Sequence, residues 1–360
     1  MSDVTLPLPQ SASWPRPAPR PLALLLLALG VAIFFLLELM IGAVHIPLAQ
    51  VVTILTGGEA ERITWDRIVL QFRMPRALNA IFSGAAIGAC GLLLQTLFRN
   101  PLADPFVLGV VHGAKFGVAL VVVSAGLAGN AFAQRFGWIG DLSLAMAAAL
   151  GSTFLMLAIL ALSRRVSTIT ILVVGLMLGY LCQGLISVVL HFTDETQARV
   201  FESWNDGSFA GITSTQLRIL IPAVLAGLAL AHSLVKALNA LLLGENYART
   251  LGLPVARARI LAFAATAVLS GVVTAFCGPI AFLGIVVAHL CRGLFNTSDH
   301  RILMPAVTLM GALLALAADL VTHLPWSKHF LHLNAVNGLI GAPVVLWVLL
   351  RSRNGKALEL

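Results

Sequence analysis

Apolar residues in this chain fall into long unbroken runs, and a helix needs about 20 such residues in succession to cross a bilayer. Ten candidate runs lie near residues 22–44, 77–98, 106–128, 140–163, 168–192, 215–238, 258–277, 279–295, 302–322 and 338–350. In the second run, Ser83, Gly84, Ala85, Ala86, Gly88, Ala89 and Gly91 make one helix unusually slim. Such a helix is useful where others press closely against it. Arg73 and Arg76 open that segment, and Arg99-Asn100-Pro101-Leu102-Ala103-Asp104-Pro105 closes it. The pattern predicts an all-α membrane protein, a polytopic bundle of about ten transmembrane helices.

Residues 22–352 are read as one transmembrane domain between tails at 1–21 and 353–360. Pro7, Pro9, Pro15, Pro17 and Pro19 mark the first tail as disordered. The apolar run after it is too long for the core of a signal peptide and is kept as the first span. With 59% apolar and 11% charged residues and a mean hydropathy of +0.95, the chain has too little polar surface for a soluble globule of this size.

An even number of spans puts both termini on one side. The tails and loops on that side hold Arg16, Arg20, Arg99, Arg164, Arg165, Lys236, Arg249, Arg257, Arg259, Arg292, Arg301, Arg351, Arg353 and Lys356, while the other set holds only Arg62, Arg67, Arg73, Arg76, Arg135, Arg199, Arg218 and Lys328. Positive charge is retained in the cytoplasm, so the termini are expected there, in an inner (plasma) membrane. The net charge of +8 follows from this asymmetry, and no basic run interleaved with aromatics suggests nucleic acid. Cys90, Cys182, Cys277 and Cys291 lie within or at the ends of spans without CxxC spacing, which implies neither a disulfide nor a metal.

Two external stretches, 45–75 and 193–214, are long enough to hold structure. The second carries Arg199, Phe201, Trp204 and Phe209 among charged residues, as a short helix on the bilayer surface would. The long internal loop, 239–257, carries Asn239, Gly244, Glu245, Ala248, Leu251 and Gly252. That spacing predicts one or two short helices with a sharp glycine turn, a shape a separate motor protein can grip.

The segments Arg73-x-Pro-Arg76, Gly84-Ala85-Ala86, Gly91-x-x-x-Gln95, Arg99-Asn-Pro-Leu-Ala-x-Pro105 and Gly109-x-x-x-Gly113-Ala114 resemble the signature of the FecCD family. These are the permeases of type II ABC importers for iron-siderophores, haem and cobalamin. Gly244-Glu-x-x-Ala248-x-x-Leu251-Gly252, Gly278-Pro-Ile-x-Phe282-x-Gly284, Ala288-His289-x-x-Arg292, Asp299-His300-Arg301 and Gly341-Ala342-Pro343 resemble its later motifs in order. The resemblance covers roughly residues 25–352 and implies a cobalamin-permease-like bundle.

The resemblance further implies three kinds of partner. A second permease subunit completes the pore, a cytoplasmic ABC ATPase uses ATP and Mg²⁺, and a periplasmic or lipoprotein substrate-binding protein delivers the cargo. No cofactor is expected on this chain. By the same resemblance Gly244, Glu245, Ala248, Leu251 and Gly252 form the ATPase-coupling loop. Physically, the glycines permit turns, Ala248 permits close approach, and Glu245 can pair with a basic group across an interface. Arg73 and Arg76 resemble the arginines that receive acidic residues of the binding protein, with anchoring at lipid headgroups as the other reading. Where the family commonly has a further arginine, this chain has His323, which implies weaker or pH-dependent docking. Phe330 to Asn334 replaces the usual acidic segment before the last span, and Ala288 replaces a proline.

Other polar residues are read from the sequence alone. His323, His329 and His332 have spacings that mark no ligand set, so no metal site is expected. Asp319, near the end of an apolar run, is expected to pair with an arginine such as Arg73 or Arg76. Glu38 has no motif around it, and its role stays open. Gln95 and Asn100 are expected to face protein. Asn100-Pro101 reads as a tight turn or as a gate. Gly175, Gly179, Gln183 and Ser187 recur every four residues and form a stripe that is either a helix contact or a pore wall.

Motifs for nucleotide hydrolysis, zinc proteolysis and serine hydrolysis do not occur, so the chain is not expected to be an enzyme. A secondary transporter would show acidic residues paired at mid-span, where only Glu38 qualifies. An intramembrane enzyme would show paired catalytic groups at span depth. The reading preferred is a permease subunit that imports an iron chelate, ferric siderophore first, with haem or cobalamin as the alternative.

Overall fold

The computed structural model describes residues 20–106, 109–127, 137–163, 168–323 and 331–353. The tail at 1–19, most of the tail at 353–360, His329 and Phe330 lie outside the described residues. Fourteen helices run through the rest, with no strand among the described residues. They are α1 (Arg20–Met40), α2 (Leu48–Leu55), α3 (Ile63–Phe98), α4 (Val110–Leu127), α5 (Gly137–Ser163), α6 (Thr168–His191) and α7 (Glu195–Asn205). Then follow α8 (Ser214–Ser233), α9 (Val235–Leu242), α10 (Glu245–Thr250), α11 (Val255–Cys277), α12 (Leu283–Phe295), α13 (His300–Thr322) and α14 (Leu333–Arg353).

The ten apolar runs all become helices. Helices α1, α3, α6, α8, α11 and α13 are long and apolar enough to cross a membrane. The remaining four runs hold the shorter apolar helices Val110–Ser124, Leu144–Ile159, Leu283–Phe295 and Leu333–Leu346 within α4, α5, α12 and α14.

Helix α3 sits at the centre. From Ser83 to Phe98 every residue of it is buried. It is enclosed chiefly by α13, α12, α11 and α8. The reason lies in its small residues: a Cβ added at Gly84 would collide with the Gly311 carbonyl oxygen of α13, and one at Gly311 with the Gly84 carbonyl. One helical step on, a Cβ at Gly88 would stand 2.5 Å from the Val307 carbonyl oxygen, and at Gly91 it would collide with the Gly284 backbone of α12. Backbones therefore meet along the helix, which is how helices hold together where lipid offers no hydrophobic drive. The same device joins α4 to α5, Gly113 against Gly151 and Gly117 against Ala147.

Two boundaries differ from expectation. Helix α3 begins at Ile63 rather than near residue 77, so together with α2 most of the stretch 45–75 is helix. Pro75 does not start the helix: a wider π-helical turn at Ile68–Arg73 lies just before it, where the missing amide donor is accommodated, and the helix runs through. The run 215–238 breaks at Leu234 into α8 and α9. There His232 Nδ1 and Ser233 Oγ turn back on the carbonyls of Leu228 and Leu230, at 2.9 Å and 2.6 Å, and compete with the continuing ladder. The external stretch 193–214 does carry a short helix, α7, whose Phe201 is buried in a cluster with Val118, Ala119 and Val122 of α4.

A side chain at the α3–α12 crossing has nowhere to go. Gly91→Val is expected to lower stability by about 1–3 kcal/mol or more through overpacking. Gly293→Ala, where an added Cβ meets nothing within 4 Å, should leave it unchanged. Thermal unfolding of the two purified variants in detergent checks this.

Candidate functional site

The residues singled out by sequence gather at two opposite ends of the bundle and on one helix face. At the α10 end, α9 and α10 form the expected hairpin. Gly244 opens α10 at φ 105° and Gly252 follows it at φ 80°, a left-handed region that glycine enters without strain. Glu245, in the first turn of α10 where a carboxylate is favoured, pairs with Arg259 of α11 and lies 3.8 Å from Arg249. Its basic partners in this structure are thus internal. Ala248 is buried, while Leu251 is 59% exposed together with Leu243 and Tyr247. Sequence reasoning passed over Leu243 and Tyr247; flanking the Gly-Glu motif was the one signal they carried.

A hydrogen-bonded knot fastens this hairpin to the bundle. Asn239 of α9 donates from Nδ2 to Asp299 Oδ1 at 2.7 Å, and its Oδ1 accepts from the His300 amide at 2.9 Å and lies 2.7 Å from His300 Nδ1. His300 Nε2 in turn meets Thr96 Oγ1 of α3 at 2.7 Å. The Arg301 amide and the Asn239 side chain hold the Asp299 carboxylate below its ordinary range.

The loop after α3 completes this end. Arg99 caps α3 in the left-handed region and donates to the Leu242 carbonyl of α9 at 3.2 Å. Asn100 forms a tight turn, its Oδ1 accepting from the Leu102 amide at 2.9 Å. Gln95 faces protein as expected, fully buried, its Oε1 accepting from Arg292 of α12. His289 Nε2 meets the Pro101 carbonyl at 3.1 Å. On α6 the four-residue stripe divides: Gly175 and Gly179 are buried against Gly109, whereas Gln183 and Ser187 are exposed. The glycines are a helix contact.

At the α2 end lies a buried cluster of charge. Arg76 of α3 grips Asp319 of α13 with two hydrogen bonds, Nε to Oδ2 and Nη2 to Oδ1, each 2.8 Å, and adds a third to Thr322 at 3.0 Å. The expectation that Asp319 pairs with an arginine is met by this bidentate fork. Arg73 instead donates to the carbonyls of Leu39 and Val44, which ties the end of α1 to α3. Glu38 of α1 is 3.7 Å from Arg76 Nε, so its partners, invisible in sequence, lie on two distant helices. His323 is also inside, with Nδ1 on the Asp319 carbonyl at 2.8 Å and Nε2 at 3.3 Å from Glu38. Burial lowers its pKa below the ordinary histidine value. His332 is elsewhere, 3.1 Å from Asp206.

Asp319→Ala would leave Arg76 buried without its main counter-charge. A loss of about 3–5 kcal/mol is expected, read as a lower unfolding midpoint and a poorer yield of intact protein; Asp319→Glu should recover part of it.

Comparison with known proteins matches this geometry to one group. Residues 29–351 match the model of the FecCD transport family. The vitamin B12 import system permease protein BtuC of Klebsiella pneumoniae is 37% identical over 287 residues, covering 79% of this chain and 83% of the relative. That of Salmonella typhimurium is 36% identical over 289 residues, covering 80% and 85%. Among solved structures, one whose description proposes a metal-chelate-type ABC transporter in an inward-facing conformation superposes with a TM-score of 0.80. It is 26% identical and the match covers 92% of this chain and 99% of that one. With a family match over nearly its whole length and relatives above 30% identity across four fifths of it, the chain belongs to the FecCD transport family of permeases.

Proposed function

We propose that this chain is the transmembrane subunit of an ATP-driven importer that carries a metal chelate across the inner membrane. The observation that carries the reading is the 36–37% identity to vitamin B12 import permeases over four fifths of the chain. Cobalamin is therefore the first cargo to test. Ferric siderophore, placed first by sequence reading, stands second, and haem third.

In this reading a second permease subunit, a homodimer mate or a paralogue, completes the pore, within the lipid of the bilayer. The exposed α6 face that carries Gln183 and Ser187 belongs to that pore or to the junction between subunits. Both termini and the α10 end face the cytoplasm, in keeping with the arginine-rich loops. A partner ATPase, using ATP and Mg²⁺, seats the α9–α10 hairpin. The exposed side chains of Leu243, Tyr247 and Leu251 supply the apolar grip there, and Gly244 and Gly252 supply its shape. Glu245, tied to Arg259, acts by holding α10 against α11.

The α2 end then faces outward and receives a periplasmic or lipoprotein substrate-binding protein. Arg73, Arg76 and His323 are the docking residues proposed there, where rim charges steer the encounter and fix its register. Alternating access follows when ATP binding draws the hairpins together and shifts the pore-lining helices.

Uptake of labelled cobalamin, ferric siderophore and haem, by cells with and without the gene, tests the cargo. Uptake of none of them in a gene-dependent way would overturn the reading. Gly252→Val, which forces a β-branched residue into a left-handed turn at about 1–3 kcal/mol of local strain, and Glu245→Gln are expected to cut uptake about tenfold or more while ATPase activity persists. Unchanged transport in both variants would remove the coupling role from this hairpin.

A further inference from the structure

The histidine at the α2 end has a defined tautomer. His323 Nδ1 lies 2.8 Å from the Asp319 backbone carbonyl. A carbonyl oxygen only accepts, so Nδ1 carries the hydrogen. In a neutral ring that leaves Nε2 as a bare acceptor. Yet Nε2 stands 3.3 Å from Glu38 Oε1, and an ionised carboxylate is acceptor-only as well. Two lone pairs facing one another at this distance repel. The contact is attractive only when one proton lies between the two atoms, either on the imidazole or on the carboxyl.

The surroundings make that proton hard to replace. Glu38 is 1% exposed, so bulk solvent does not screen the pair. Among the described residues, the charged or titratable groups that face it are Arg73 and Arg76 from α3 and Asp319 from α13. Both oxygens of Asp319 are engaged by Arg76, and the Arg73 guanidinium is directed at the carbonyls of Leu39 and Val44. With His323 neutral, two guanidinium charges balance two carboxylates, and the balance holds only if the repulsive contact is tolerated. Burial disfavours the imidazolium form of His323, which directs the proton toward the carboxyl.

We propose that Glu38 and His323 form a proton-binding site, one proton bridging Oε1 and Nε2 and fastening the end of α1 to the end of α13. The proposal needs no assumption about cargo. A divalent cation is the competing occupant, because ligand atoms of Glu38, Asp319 and His323 lie within 4.8 Å of one another. It would have to displace Arg76 from Asp319 and leave two half-buried guanidinium groups beside a double charge, which repulsion penalises.

The test is the unfolding midpoint of the full-length protein in detergent as a function of pH. Above about pH 6.5 the unfolded chain has released both protons, from the carboxyl and from the imidazole. The folded pair still holds one, so its contribution to stability falls as pH rises until that proton is lost. The expected result is a decline of about 3 °C per pH unit in the wild type, relative to two variants that need no shared proton. In Glu38→Gln the amide N–H donates to Nε2, and in His323→Arg a permanent cation meets Glu38. Both should hold a level midpoint where the wild type declines. A wild-type profile that parallels both variants overturns the proposal. So does a rise in the wild-type midpoint on adding Zn²⁺ that Glu38→Gln abolishes, which would assign the site to a metal.

Discussion

The rest of the structure depends on backbone meeting backbone along α3. In hydrocarbon, helices gain nothing by hiding apolar side chains from one another, so association rests on dispersion between surfaces that come very close. Gly84, Gly88 and Gly91 present such a surface on successive turns, and Gly311, Val307 and Gly284 answer it from α13 and α12. A slim central helix can be surrounded on nearly all sides, and the burial of α3 from Ser83 to Phe98 is the result. Once it is central, Gln95 near one end of the buried stretch cannot reach water and Arg76 near the other reaches it only in part. They must find partners on the helices around them, which is why the buried polar networks of this protein sit at the ends of α3.

Those networks differ in kind. At the α2 end the partners are charged and form a compact group of arginines and carboxylates, with His323 beside them. At the α10 end charged groups meet mainly neutral ones: the Arg292 guanidinium donates to the Gln95 amide, and the Asp299 carboxylate, only half-buried, accepts from the Asn239 amide. Hydrogen bonds to a charged group are stronger than neutral ones, but neither contact is a fork between two opposite charges like that of Arg76 and Asp319.

Much of the architecture was legible in the sequence because its signals are local. Runs of apolar residues mark helices whatever their neighbours, the small residues of 83–91 mark a central helix, and Gly244 and Gly252 mark the turns of a hairpin. Asp319 announced a partner because a carboxylate in an apolar run requires one. What stayed hidden depends on residues far apart in the chain. Gln95 and Arg292 are 197 positions apart, and no pattern within either helix names the other. The neighbours of Glu38 come from α3 and α13, so one acid in an apolar run could not disclose them. The start of α3 was placed late because the charged residues ahead of position 77 interrupt the apolar run, whereas the helix continues back through them to Ile63.

Helices α3 and α13 are fastened three times along their shared length: by Thr96 and His300 near one end, by Gly84 and Gly311 between, and by Arg76 and Asp319 at the other. Two rods joined at three stations neither slide nor twist past one another without breaking all three. They make a strut of about 35 Å, judged from the 23 residues of α13, and Asn239 binds one tip of it to the hairpin. A push delivered to the hairpin therefore arrives at the far face of the membrane with little loss, as in a piston rather than a spring.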